Sequence, residues 1–123
     1  MIHLDTSVLV DALTGTQRSA AQLRTWGAQG ERVALSSIVL YEWLRGPRTP
    51  QEIHAQEALF PAAIATPFGP VEAALAADLY RVVRRPRGRE IDLAIAACAI
   101  TQGATLWTLN PRDFRDIPRL RLA

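Results

Sequence analysis

Short apolar segments alternate with longer helical ones along the chain, and this alternation constrains the fold more than any other feature. Residues 1–4, 33–35 and 105–108 have the length and composition of buried strands. The segments between them show apolar residues at spacings of three and four, which is typical of helices packed on a sheet. Strands that alternate with helices predict a parallel sheet with helices on both faces. We therefore expect one three-layer α/β/α domain over residues 1–123, with a short, mostly parallel central sheet.

Helix boundaries follow from the usual start and stop residues. Thr6 and Ser7 offer N-caps to an apolar segment ending near residue 13, and Ser36 and Ser37 cap a helix through residue 44. Glycine and proline punctuate the remaining segments. The pattern predicts further helices at 17–29, 50–59, 70–85 and 90–102, a minimal strand at 64–65, and a loop or short helical turn at 110–114. The 90–102 helix is apolar nearly all round, as expected for one that is deeply buried.

All 14 lysine-plus-arginine residues are arginines. The absence of lysine excludes mechanisms that depend on a lysine side chain, such as Walker-A phosphate binding and Schiff-base catalysis. A net charge of +2 and a pI near 9.3 are compatible with a polyanionic partner without requiring one.

The N-terminal residues lack the pattern of a secretory signal, and charged residues or prolines interrupt every apolar run before it could cross a bilayer. Cys98 has no second cysteine to pair with and lies in an apolar run, where we expect a buried, unreactive thiol. These features predict a cytoplasmic protein without membrane association.

Three acids occupy places where apolar residues would be expected. Asp5 directly follows the first strand, at the sheet edge where open parallel sheets carry their sites. Glu42 is the only acid in an otherwise apolar helix, and Asp92 lies at the start of the most apolar helix. Each has an ordinary explanation as well: a helix N-cap for Asp5, a solvated stripe for Glu42, and the helix dipole for Asp92.

Taken together, the three acids indicate a metal site. Carboxylates that share one sheet edge repel one another unless a divalent cation neutralises them. Oxygen ligands without histidine or cysteine nearby favour Mg²⁺ or Mn²⁺ over Zn²⁺. Such a site suits phosphodiester hydrolysis.

Four motifs in sequence order resemble the PIN-domain signature as found in VapC toxins, and they span almost the whole chain. The first three carry Asp5, Glu42 and Asp92, and in the second the acid is followed four residues later by Gly46. The motifs are Leu4-Asp-Thr-Ser-Val-Leu9, Ser36-Ser-Ile-Val-Leu-Tyr-Glu-Trp-Leu-Arg-Gly46, Glu90-Ile-Asp-Leu-Ala-Ile-Ala-Ala-Cys-Ala99 and Thr105-Leu-Trp-Thr-Leu-Asn-Pro-Arg-Asp-Phe114.

The resemblance implies an endoribonuclease that uses Mg²⁺ or Mn²⁺ and acts as the toxin of a toxin–antitoxin pair. Asp5, Glu42 and Asp92 would hold the metal, and Thr6 or Ser7 would orient a ligand or water. Many family members have aspartate where this chain has Asn110, so the site contains either Asn110 as the fourth residue or Asp113 in its place. Whether one or two metals bind depends on that difference.

The same resemblance implies RNA as substrate, a homodimer, and a cognate antitoxin that silences the enzyme. The helix with Ile38, Val39, Tyr41, Trp43 and Leu44 has more apolar surface than one sheet face can easily cover, which is consistent with a protein partner.

Arginines at 81, 84, 85, 87 and 89, and again at 112, 115, 119 and 121, either contact RNA phosphates or are simply solvated.

Two other functions compete with the nuclease. One is a catalytically weak PIN-like module that only binds RNA or protein, which Asn110 supports and the three acids oppose. The other is a phosphatase of the haloacid-dehalogenase type, which needs a second aspartate where this chain has Ser7 and also needs a lysine.

Overall fold

Four parallel strands form the centre of the fold in the computed structural model, which describes residues 1–123. Their order in the sheet is β2, β1, β3, β4, and all three strand pairs are parallel. The elements in chain order are β1 (Ile2–Leu4), α1 (Thr6–Leu13), α2 (Ala20–Ala28), β2 (Val33–Ala34), α3 (Ser37–Arg45), α4 (Pro50–Leu59), α5 (Pro70–Val82), α6 (Glu90–Thr101), β3 (Thr105–Trp107) and β4 (Arg121–Leu122).

Helices cover both faces of this sheet, as predicted. Successive side chains of a strand point to opposite faces, yet Ile2, His3 and Leu4 are all buried. A central strand that is buried on both sides requires a layer above and a layer below it. The expected three-layer α/β/α arrangement is therefore confirmed.

The most apolar helix is also the most buried. Every residue of α6 from Leu93 to Ala99 is buried, and α6 packs on α3, α5 and β3. Cys98 lies among these residues, and burial raises the pKa of its thiol to about 11, so the thiol is unreactive at neutral pH.

Several predicted boundaries are confirmed because local signals set them. Thr49 and Glu52 form a capping box at the start of α4, where Pro50 occupies the first turn, and this helix ends at Leu59 as expected. Ser36 accepts a hydrogen bond from the Val39 amide and caps α3. The longest helix has 13 residues, and none offers the apolar length that a bilayer crossing requires.

Other boundaries differ from the sequence prediction. The helix expected at 17–29 begins only at Ala20, because Gln17 has a φ of 54° and residues before Ala20 form turns. The strand expected at 64–65 is instead part of a 3₁₀ helix, Ala62–Ile64, and Thr66 makes the bridge to Ser36. Helix α5 ends at Val82, three residues earlier than expected, and β4 at Arg121–Leu122 was not predicted.

Candidate active site

The carboxyl ends of β1 and β3 meet at one point of the sheet edge. Leu4 pairs with Trp107 in parallel register, so the next residues, Asp5 and Thr108, emerge side by side. The Asp5 amide donates to the Trp107 carbonyl at 2.9 Å and extends the pairing to this point. The chain passes from β1 to β2 on one side and reaches β3 on the other. This reversal marks a topological switch point, where open parallel sheets form their ligand sites.

Two hydroxyl groups hold the Asp5 carboxylate in one orientation. Ser7 Oγ and Thr108 Oγ1 donate to Asp5 Oδ2 at 2.8 and 2.7 Å. These hydroxyls in turn accept hydrogen bonds from the backbone N–H groups of Leu109 and Asn110, at 3.1 and 3.0 Å. Each hydroxyl oxygen accepts a backbone N–H, so the hydroxyl's own hydrogen is directed to Oδ2 of Asp5. The second oxygen of Asp5 has no such partner and is left available to a ligand.

Helix α3 brings Glu42 to the same edge. Thr6 Oγ1 donates to Glu42 Oε1 at 2.5 Å across 36 residues of chain, and Arg45 donates to Oε2 at 3.3 Å. The sequence predicts Thr6 and Ser7 as helix caps, but α1 begins at Thr6 and neither hydroxyl caps it. The Thr6 hydroxyl donates to Glu42 and the Ser7 hydroxyl donates to Asp5 instead. The next residue, Trp43, is fully buried in the core and anchors this part of α3.

Asp92 is the acid most affected by the others. Burial, together with the negative charges of Asp5, Asp113 and Glu42, raises the pKa of Asp92 to about 6, while Arg89 acts in the opposite direction. The carboxylates after β1, on α3 and after β3 therefore all lie within electrostatic reach of the start of α6. The result is a concentration of negative charge that a cation would stabilise.

The acids nevertheless do not converge on one point. No three histidine, cysteine, aspartate or glutamate side chains lie close enough together to form a ready-made metal site. The carboxylates have protein partners instead: Glu42 accepts hydrogen bonds from Thr6 and Arg45, and one Asp5 oxygen accepts from two hydroxyls. The donor set is still suited to a hard cation, since it consists of carboxylate and hydroxyl oxygens.

The two candidates for the fourth position differ in their relation to Asp92. Asn110 is exposed, and its backbone N–H, rather than its side chain, joins the hydroxyl network through Thr108. Asp113 is also exposed, but its charge contributes to the raised pKa of Asp92. It lies in a 3₁₀ helix, Pro111–Asp113, that follows the strand as predicted.

Sequence reasoning missed Thr108 as a member of this site. The predicted third strand includes Thr108, but β3 ends at Trp107 and Thr108 follows it. The available signal was its position, because Thr108 follows β3 in the same way that Asp5 follows β1. Only the register between the two strands puts the pair in contact.

Comparison with known proteins identifies the class to which this fold and edge belong. The model of the PIN domain family matches residues 2–120, and the chain belongs to this family. Among curated proteins it is similar to ribonuclease VapC19 of Mycobacterium tuberculosis (strains CDC 1551 / Oshkosh and ATCC 25618 / H37Rv). The identity is 37% over 120 residues, which cover 96% of this chain and 95% of the relative.

Solved structures with the same fold come from complexes. A chain of VapBC2 from Rickettsia felis, bound to a DNA fragment from its promoter, has a TM-score of 0.72 and 25% identity, covering 100% of this chain and 98% of that one. A chain of DNA-bound VapBC from Salmonella typhimurium has a TM-score of 0.75 and 21% identity, with 99% and 96% covered. A chain of FitAcB from Neisseria gonorrhoeae has a TM-score of 0.74 and 24% identity, with 100% and 97% covered.

Proposed function

We propose that this protein is a divalent-metal-dependent endoribonuclease and the toxin of a type II toxin–antitoxin pair, with residues 1–123 acting as a single domain. The observation that carries the proposal is the geometry of the sheet edge in a PIN fold: the parallel register of β1 and β3 places Asp5 beside Thr108, and Thr6 joins Glu42 of α3 to the same edge. Burial and the neighbouring acids also raise the pKa of Asp92 there. The similarity to a ribonuclease over 96% of the chain supports the same activity.

Asp5, Glu42 and Asp92 would hold the metal, which we propose to be Mg²⁺ or Mn²⁺. The residues present fit such an ion, because they are oxygen donors whose charges raise the pKa of Asp92 and would be neutralised by it. When bound, a divalent cation lowers the pKa of coordinated water and neutralises charge on the scissile phosphate.

The protein's own groups position these acids. Ser7 and Thr108 hold Asp5 through one oxygen and leave the other without a protein partner. Thr6 holds Glu42 against the start of α1, so this hydrogen bond joins the first and third helices at the edge. We further propose that the Asp113 carboxylate, rather than the Asn110 amide, supplies the fourth ligand, since the Asp113 charge acts on Asp92.

The function is tested by incubating purified protein with RNA, with and without Mn²⁺. We expect cleavage only with the metal, and products that carry a 5′-phosphate and a 3′-hydroxyl, because water is the attacking group. The matched control is the triple variant Asp5→Asn, Glu42→Gln, Asp92→Asn, which retains the shape of each side chain. Equal cleavage by this variant would show that the site is wrongly assigned. RNA binding by the wild type without any cleavage would favour the alternative of a binding module.

Thr108→Val is expected to weaken Mn²⁺ binding about 10- to 100-fold, a typical cost of losing a group that orients a metal ligand. Valine has the shape of threonine but cannot donate to Asp5 or accept from the Asn110 amide. Thr108→Ser should restore most of the affinity, because it keeps the hydroxyl. Calorimetric titration with Mn²⁺ measures both variants, and equal affinities for valine and wild type would refute the positioning role.

Asp113→Asn is expected to lower Mn²⁺ affinity more than Asn110→Asp raises it. The reason is that the Asp113 charge already reaches Asp92, whereas the Asn110 side chain is exposed and contributes only its backbone N–H. The same titration compares the two variants. A gain of about tenfold or more in Asn110→Asp, with no loss in Asp113→Asn, would place the fourth ligand at Asn110 instead.

We propose a cognate antitoxin and a second copy of the chain as protein partners, in the cytoplasm. The structural relatives in VapBC complexes support the antitoxin. Apolar surface for partners is present: Tyr41 and Leu44 on α3 are about half exposed, although Val39 and Trp43 are completely buried. An apolar groove of about 590 Å³ also lies between α1, α2 and α4. Expression alone should arrest growth and co-expression of the antitoxin should restore it, whereas harmless expression of active enzyme would exclude the toxin role.

A further inference from the structure

The arginines that the sequence placed in two separate groups differ sharply in their partners. Arg81 is paired with Asp78, Arg89 with Asp116, and Arg121 donates to the Gly103 carbonyl. The other members have no side-chain hydrogen bond or ion pair, and five of them lie on the two segments that Arg89 joins. These five exposed arginines are Arg84, Arg85, Arg87, Arg112 and Arg115.

Arg89 joins the two segments through a single side chain. Its guanidinium makes a two-pronged ion pair with Asp116, at 2.9 and 2.6 Å. The same group donates to the backbone carbonyls of Arg84 at 3.1 Å and of Asp113 at 3.0 Å. Because one planar group contacts both carbonyls, the loop after α5 and the 3₁₀ segment after β3 must lie against each other. We call these four hydrogen bonds the Arg89 clasp.

The clasp leaves the surrounding surface positively charged. Asp116 is neutralised by Arg89, and Asp113 contributes its charge to the acid edge at Asp92. Glu90 is the remaining acid of the loop, and its carboxylate accepts from the Gly88 amide. Five unpaired guanidinium groups therefore outnumber the acids beside them, and they border the start of α6, where Asp92 lies.

We propose that Arg84, Arg85, Arg87, Arg112 and Arg115 form one binding surface for the phosphate backbone of single-stranded RNA, assembled by the Arg89 clasp. The inference rests on the proposed nuclease function and names how its substrate is held. A polyanion that approaches Asp5, Glu42 and Asp92 is repelled by them, so an adjacent cationic surface is needed to bind the phosphates next to the scissile one. Unpaired guanidinium groups suit phosphate oxygens, to which they can donate in pairs.

The test measures RNA binding in EDTA, where binding is read separately from metal-dependent cleavage. The probe is a fluorescent single-stranded RNA of mixed sequence, about 20 nucleotides long, titrated at several salt concentrations. The triple variant Arg84→Gln, Arg85→Gln, Arg87→Gln should lose about tenfold or more in affinity, and the slope of log affinity against log salt concentration should become shallower by about two. For Arg112→Gln with Arg115→Gln, the same slope should become shallower by about one.

The matched control is Arg24→Gln with Arg32→Gln, which removes exposed arginines from α2 and from the opposite, amino end of the sheet. We expect this control to retain the affinity and salt dependence of the wild type. Equal losses in the control and in the loop variants would mean that only net charge matters, and would overturn the proposal. A polyglutamate peptide is titrated in the same way. If the loop variants lost binding to this peptide but kept binding to RNA, the surface would be a peptide-binding one, and the proposal would be overturned.

Asp116→Ala tests the clasp itself, because the change in net charge and the loss of the clasp predict opposite changes in RNA affinity. The variant adds one positive charge, so independent arginines would bind RNA more tightly. If the clasp assembles the surface, its loss should weaken binding severalfold despite the added charge. Tighter binding would contradict the assembly. Loss of RNA binding in these variants would support the surface even if the wild type proved unable to cleave RNA, so the two proposals fail separately.

Discussion

Asp92→Asn is expected to reduce RNA cleavage about 10³-fold or more while making the metal-free protein more stable. The loss of activity follows from removal of a proposed metal ligand, since metal-dependent stabilisation of the transition state is worth several kcal/mol. The gain in stability follows from the site's electrostatics, because burial and three neighbouring acids disfavour the ionised form of Asp92. Cleavage of a labelled RNA with Mn²⁺ measures the first effect, and thermal unfolding in EDTA measures the second.

The pH dependence of that gain has a defined sign. The pKa of Asp92 is raised from 3.8 to about 6 in the folded protein, so ionisation lowers the stability of the fold. Well below pH 3.8 the carboxyl is protonated in both the folded and the unfolded state, and asparagine should give no advantage from this source. Above pH 6 the advantage should be complete, at about 1–2 kcal/mol once partial solvent exposure is allowed for.

Adding Mn²⁺ should reverse the order of the two proteins. The wild type gains stability because the folded state binds the cation, whereas the variant lacks one of its ligands. Asp78→Asn is a suitable control, because Asp78 is an exposed acid paired with Arg81 on α5. A variant at position 92 that is less stable than wild type in EDTA at pH 7.5, or that cleaves RNA normally, would contradict our assignment of this residue.

Trp43→Ala is expected to lower the free energy of unfolding by about 3–5 kcal/mol, which is typical of removing a large buried aromatic side chain. Trp43 is completely buried, and Arg48 lies over its ring at 4.2 Å while donating to its carbonyl at 3.0 Å. The loss is large because neighbouring helices cannot close the cavity without moving α3. Urea denaturation gives the free energy, and Mn²⁺ titration shows whether Glu42 remains in position.

Trp43→Phe is the matched comparison. The indole N–H of Trp43 is buried without a hydrogen-bond partner, which is costly. Phenylalanine removes that donor and leaves a smaller cavity, so the two changes oppose each other and the net loss should be about 1 kcal/mol or less. A loss for phenylalanine as large as that for alanine would show that the indole N–H has a stabilising partner.

The sequence by itself determined the fold class, most helices and the positions of the three principal acids. These features have local causes, because a few neighbouring residues are enough to predict each of them: the apolar character of α6, the proline in the first turn of α4 and the placement of Asp5 after β1. The alternation of apolar strands with helices also predicts the three layers, because the spacing of apolar residues indicates which surfaces must be buried.

Only the tertiary structure decided which polar groups meet. Thr108 joins the site because β1 and β3 are in parallel register, and Thr6 reaches Glu42 across 36 residues. The raised pKa of Asp92 likewise depends on acids from three separate segments.

The arginine groups show the same limit, since only Arg89 brings their two segments together. Such contacts depend on register and packing between distant segments, which local periodicity does not encode.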